Sequence, residues 1–254
     1  SPMSRLESIR NDAAVLARLV RGMPQAASHA DALGAFYGPQ SAHYDRFRER
    51  LLAGRAELVA SLPLPPRAVV VELGGGTGRN AEFFGERLAG IQRFDVVDLC
   101  RPLLERARER ARRIPQLQAV EADATTYRPS DPVDCVLLSY ALTMIPDWRA
   151  TIANALAMLK PDGVLGVVDF YVSEARPAHV GAVRHSAVTR AFWPRWFGHD
   201  GVRLDARHLP ALCGALSRHE VVEARAPVPY LPLARVPYYR FVGFKPRDPS
   251  RVAG

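Results

Sequence analysis

The stretch "VVVELGGGTGRNAEFF" at residues 69–84 constrains this chain more than any other: a β-branched apolar run meets Gly74, Gly75, Gly76 and Gly78, then passes straight into helical spacing. A strand, a bare turn and a helix let a ligand approach the main chain with no Cβ atoms in the way, and they turn backbone N–H groups toward it. Two nucleotide-binding patterns do not fit. A dinucleotide fingerprint needs its third glycine one residue after Gly78, and a phosphate loop needs a Gly-Lys-Ser/Thr that is absent.

Downstream of the glycines, the spacing of apolar residues narrows the fold. Strand spacing at 68–73, 93–98, 117–121, 133–139 and 164–170 alternates with helical spacing at 79–88, 101–112 and 147–159, and "KPDG" at 160–163 reads as a turn. Such alternation predicts an α/β fold with a mostly parallel sheet covered by helices on both faces. Two late strand candidates, 219–225 and 237–244, predict an antiparallel hairpin added at the sheet edge. Before the first strand, "LPLPPR" at 62–67 breaks the pattern after helices near 4–20 and 41–52. The expected organisation is a helical lid over 1–62 and a catalytic domain over 63–254. At 254 residues and 48% hydrophobic content, one large core is expected.

The net charge of +8 favours anionic partners. Among 34 basic residues only Lys160 and Lys245 are lysines, however, and the densest cluster, "RARERARR" at 106–113, alternates with Glu and Ala as a solvated helix face does. No basic stripe with interleaved aromatics appears, so a nucleic-acid partner is not expected. Cys100, Cys135 and Cys213 are widely spaced, which fits buried thiols rather than a disulfide framework or a zinc site. Neither a secretory leader nor a membrane-spanning run is evident, and the expected location is cytoplasmic.

Candidate ligand residues fall at the strand ends. Asp98 closes the second strand, 22 residues past Gly76, where a nucleoside-binding sheet places a carboxylate for ribose hydroxyls. Ser139 and Tyr140 reach the carboxyl edge from the fourth strand, the side on which open α/β sheets bind ligands.

The pattern E-x-G-x-G-x-G over Glu72–Gly78 resembles the first motif of class I S-adenosylmethionine (SAM)-dependent methyltransferases. That resemblance implies a Rossmann-like fold and SAM as cofactor. Its contacts would come from Glu72, Gly74, Gly75, Gly76, Thr77, Gly78, Asn80, Asp98, Leu99, Asp123 (to the adenine amine), Ala124, Ser139 and Tyr140. Further stretches, among them "LLSYALTMIPDWR" at 137–149, "FWPRWFGHDGVRL" at 192–204 and "YLPLARVPYYRFVGFKP" at 230–246, resemble the N-methyltransferase of betaine-lipid synthesis. This closer resemblance implies methylation of the homoserine amine of a diacylglyceryl lipid.

Methyl transfer from a sulfonium is an in-line displacement that needs no metal, so positioning dominates. Tyr44, Tyr140, Asp169 and Tyr171 are the candidates for the reacting centre, as proton acceptors or as aromatic faces. Tyr37, Trp148, Trp193 and Trp196 complete a candidate cage for a quaternary ammonium. His43 is a candidate base, and Arg48 and Arg55 are candidate partners for a carboxylate. A lipid acceptor would add peripheral membrane contact through the lid and "AFWPRWF" at 191–197; another small amine is the alternative acceptor. A rival chemistry keeps the SAM site but closes the cofactor's aminocarboxypropyl arm into azetidine-2-carboxylate, releasing methylthioadenosine.

Overall fold

A computed structural model describes residues 49–178, 181–198, 201–228 and 231–247. The expected helix at 4–20 and residues 41–48 of the one expected at 41–52, together with Tyr37, His43, Tyr44 and Arg48, lie outside the described residues; residues 49–51 are helical. Seven strands form one sheet: β1 (Ala68–Leu73), β2 (Ile91–Asp98), β3 (Leu117–Glu121), β4 (Val133–Ser139), β5 (Leu159–Phe170), β6 (His219–Val228) and β7 (Leu231–Phe244). Their order is β3-β2-β1-β4-β5-β7-β6. The first five run parallel, whereas β7 is antiparallel to both β5 and β6. This is the Rossmann-like methyltransferase architecture.

The central strands read as continuous apolar runs because both of their faces are covered. On one face lie α1 (Arg55–Ser61), the segment Arg79–Gly90 and α2 (Arg101–Ala111), which bury Leu58, Phe84 and Leu104 with Phe94 of β2. On the other, α3 (Trp148–Met158) and α5 (His208–Ala215) bury Trp148, Ile152 and Leu212 against Tyr239 and Phe241. Between β5 and α5, α4 (Ala187–Gly198) contributes Trp193 and Phe197 to the first face. From β1 the chain builds outward through β2 and β3, then returns to β4 on the other side of β1. That reversal opens a crevice at the carboxyl ends of β1, β2 and β4, the usual ligand position of such sheets.

Three elements depart from the sequence reading. The expected helix at 79–88 is a 3-10 segment over Arg79–Gly90, because Gly85 takes φ 54 and ψ −128, which no helix continues. "KPDG" is drawn into the start of β5: Asp162 N–H donates to Lys245 O at 3.0 Å and Lys245 N–H to Gly163 O at 2.9 Å. The hairpin is longer than expected at both strands, and β7 is the strand that docks on β5. Residues 55–62, assigned by sequence to a lid, place Leu58, Val59 and Leu62 in the core.

Candidate functional site

Glu72, at the end of β1, is buried and accepts a hydrogen bond from Asn80 Nδ2 at 2.5 Å, so the strand end and the start of the 79–90 segment are clamped around the glycines. Gly74, Gly76 and Gly78 all have positive φ, which side chains disfavour. A Cβ on Gly75 would sit 2.8 Å from Val96 Cγ1. One expectation needs correcting. The N–H groups of Gly74 and Gly75 both donate to Val97 O, that of Gly76 to Asp98 Oδ2 at 2.8 Å, and that of Gly78 to Gly75 O. The loop therefore offers close approach of bare main chain rather than free donors.

Asp98 ties the crevice together. Its Oδ2 accepts from Gly76 and its Oδ1 from Cys100 N–H at 2.8 Å, and since a carboxylate oxygen accepts more than one hydrogen bond, a ligand hydroxyl can join them. Leu99, beside it, is half-buried. At the end of β3, Asp123 closes a turn by accepting Thr125 N–H and Oγ1–H at 2.8 and 2.7 Å; it is exposed, and the carbonyl of the buried Ala124 accepts from Asn154 Nδ2. Ala122 N–H donates to Asp98 O, holding the ends of β2 and β3 together. Ser139 Oγ and Asn80 Oδ1 are buried with no hydrogen-bond partner among the described residues. Two orphaned polar atoms, a carboxylate at a strand end and a glycine cradle fit an adenosyl amino acid, rich in hydroxyl and amine groups. Thr77, fully buried, gives its carbonyl to Arg110 of α2. Arg110 is thus a brace for the loop that the sequence offered only as one of a run of arginines.

The catalytic candidates separate. Tyr140 sits at φ 51, a strained backbone for a bulky residue; its OH donates to Ala53 O at 2.6 Å and its ring lies 4.6 Å from that of Phe170. Asp169 is fully enclosed and accepts from Thr143 Oγ1, Thr143 N–H and Phe170 N–H at 2.9, 3.2 and 2.8 Å. It holds the loop after β4 in place. Tyr171 donates its OH to Glu223 of β6 at 2.6 Å, away from the glycines. Arg55 is buried at 4% exposure and bonded to Glu49 and Leu52 O, so it is not a surface arginine available to a substrate carboxylate. The described aromatics form no open cage: Arg149 covers the Trp148 ring at 4.3 Å, and Trp193, Trp196 and Phe197 pack on one another.

Burial gives Asp169 and His208 opposite responses to pH. Desolvation pushes the Asp169 carboxyl up to about 7, against hydrogen bonds that pull it down; desolvation pushes the His208 imidazole down to about 4. Asp169 therefore contributes stability that is full below its ordinary value of 3.8 and lost as pH rises through about 7. His208 contributes stability that is full above 6.5 and lost as pH falls through about 4. Between these limits the two slopes oppose, each at most about 1.4 kcal/mol per pH unit. Urea unfolding of Asp169→Asn should show stability falling on acidification from pH 6.5 to 4.5. His208→Gln should show it rising, and matching slopes for the two variants would rule out this pairing.

Comparison with known proteins supports the methyltransferase fold and class. Residues 70–163 match the family model described as a methyltransferase domain, so the chain carries a domain of the SAM-dependent methyltransferase class. The trans-aconitate 2-methyltransferase of Variovorax paradoxus is 33% identical over 125 residues, 49% of this chain and 47% of the relative. That of Rhizobium leguminosarum bv. trifolii is 28% identical over 182 residues, 70% and 66% of the two chains. The chain spans about half the length of the curated relatives it matches first. These relatives carry the trans-aconitate name and not that of a betaine-lipid enzyme. Among solved structures, a Burkholderia thailandensis 1,6-didemethyltoxoflavin-N1-methyltransferase with bound S-adenosylhomocysteine is 23% identical, covering 88% of this chain and 92% of that one at TM-score 0.56. A Haloferax volcanii putative methyltransferase is 18% identical, covering 84% and 96% at TM-score 0.62. At these identities they establish the shared fold.

Proposed function

We propose that this chain, whose methyltransferase domain belongs to the SAM-dependent class, methylates a small organic acid at a carboxylate. When bound, SAM supplies a methyl group on a sulfonium, open to in-line attack by an acceptor lone pair. In this reading the glycine loop gives close approach, Asp98 holds the ribose hydroxyls, and Asp123 and Ser139 flank the adenosyl group. Tyr140 positions the acceptor wall between β4 and Phe170.

The observation that carries the choice of acceptor is the state of the candidate bases. Among the described residues, Tyr140 donates to Ala53 O, Asp169 is sealed by Thr143 and Phe170, and Tyr171 is committed to Glu223. An ammonium must lose a proton before it attacks, whereas a carboxylate is already ionised at neutral pH. The named activity of the trans-aconitate relatives supports the same class.

A second reading keeps the homoserine amine of a diacylglyceryl lipid. Supporting it, Val188 and Phe192 on α4 are 77% and 44% exposed, with Arg190 and Arg195 on the same helix, a combination suited to a bilayer surface. Incubation with SAM and either trans-aconitate, citrate and related acids or diacylglyceryl-homoserine vesicles separates the readings. The expected products are a methyl ester and S-adenosylhomocysteine with an acid. A methylated lipid alone would move the assignment to the second reading, and methylthioadenosine without any acceptor would point to ring closure.

A further inference from the structure

A cavity of about 250 Å³ lies between the loop following β4 and the segment leading into α5, away from Asp98 and Asp123. Its walls include Leu142, Ile145, Trp148, Arg203, Arg207 and His208. We propose that this cavity holds a carboxylate of a small organic acid, with the Arg203 guanidinium as its cation and His208 Nδ1 as its buried hydrogen-bond partner. The proposal deepens the reading above, on which it rests, by assigning the acceptor's handle.

Two independent observations point to a ligand. His208 is 1% exposed and its Nδ1 has no hydrogen-bond partner among the described residues, a buried polar atom left for something to satisfy. Arg203 is exposed and its guanidinium makes no ion pair among the described residues, while its backbone N–H, donated to Thr143 O at 2.8 Å, fixes it beside the loop. Its neighbours differ. Arg207 is gripped by Asp205 through Nη2 at 2.6 Å and Nε at 2.9 Å, and Arg149 lies over Trp148. Asp147 spends its carboxylate on capping α3 through Ala150 N–H. Three guanidinium groups thus face two committed carboxylates, and the excess positive charge sits on Arg203.

The start of α5 adds to this field, since its cap residue Arg207 makes no side-chain cap bond. Of the remaining walls, Thr143 has its hydroxyl committed to Asp169 and Asp205 has its carboxylate committed to Arg207, while Leu142, Met144, Ile145, Pro146 and Trp148 are apolar and suit a carbon skeleton better than inorganic phosphate, which needs donors on every side. His208, neutral near pH 7 because burial pushes its imidazole down to about 4, has a single N–H to give. Position links the cavity to the cofactor crevice: Ile145 Cδ1 lies 3.8 Å from where a Cβ on Gly74 would be.

Calorimetric titration of citrate into the full chain, with and without S-adenosylhomocysteine, tests this. The wild type should bind citrate, Arg203→Ala should lose at least 10-fold in affinity, and Arg203→Lys should recover part of it. S-adenosylhomocysteine should bind all three alike, so failure of the cofactor reading would appear separately as its loss from the wild type. The His208 imidazole, followed by NMR, should titrate at higher pH with citrate bound. Absence of citrate binding to the wild type, equal affinity in Arg203→Ala, or displacement of citrate by equimolar inorganic phosphate would each overturn the assignment.

Discussion

Asp98→Ala is expected to weaken SAM binding by about 100-fold. A carboxylate that receives ligand hydroxyls contributes roughly 1.5–3 kcal/mol per hydrogen bond, and about 2.7 kcal/mol is two decades of affinity. The substitution acts twice. It removes the acceptor for the ligand, and it frees Gly76 N–H and Cys100 N–H, which Asp98 holds at 2.8 Å each, so the glycine loop loses its anchor to the end of β2. Asp98→Asn separates these effects, since it keeps one acceptor oxygen and an intermediate affinity is expected. Equilibrium titration of all three proteins checks the order, and an Asp98→Ala loss under about threefold would place the ribose elsewhere.

Phe94→Ala should be the most damaging single change to the core. Phe94 is fully buried in β2, pairs in register with Val70 and Leu117, and meets Phe84 edge-on at 5.7 Å. Truncation leaves a cavity between the sheet and the 79–90 segment, at a cost of about 3–5 kcal/mol. For a chain of this size that lowers the melting temperature by roughly 6–20 °C. Cofactor affinity measured well below the transition should stay within a few fold of the wild type, because Asp98 and the glycines are not touched. A melting temperature within about 2 °C of the wild type would mean that Phe94 is not a keystone of this face.

Local chemistry made much of this fold legible. The strands at 68–73, 117–121 and 133–139 were bounded correctly because short segments rich in Val and Leu between turn residues have few other readings. Where a distant partner decided the outcome, the sequence was mute. The extra length of β5 comes from Lys245, far along the chain, and the 79–90 segment turned on the single positive φ of Gly85. The same division runs through the site. The place of Asp98 at the end of β2, beside Gly76, was readable from its spacing, since strand, turn and helix lengths fix where the second strand ends. Free loop N–H groups were not, because Val97 O and Asp98 reach the loop from the neighbouring strand. Arg203 and His208 carry no local motif; the fold brings them to Thr143 and Trp148. Arg55 read as a candidate partner for a ligand carboxylate, but Glu49 and Phe83 occupy it.

A crystal structure of the chain with S-adenosylhomocysteine tests the central claim most directly. The prediction is ribose hydroxyls within hydrogen-bond distance of the Asp98 carboxylate, the adenine beside Asp123 and the amino acid end over the glycine loop. Density for the nucleoside at any other edge of the sheet, with no ribose oxygen near Asp98, would contradict it.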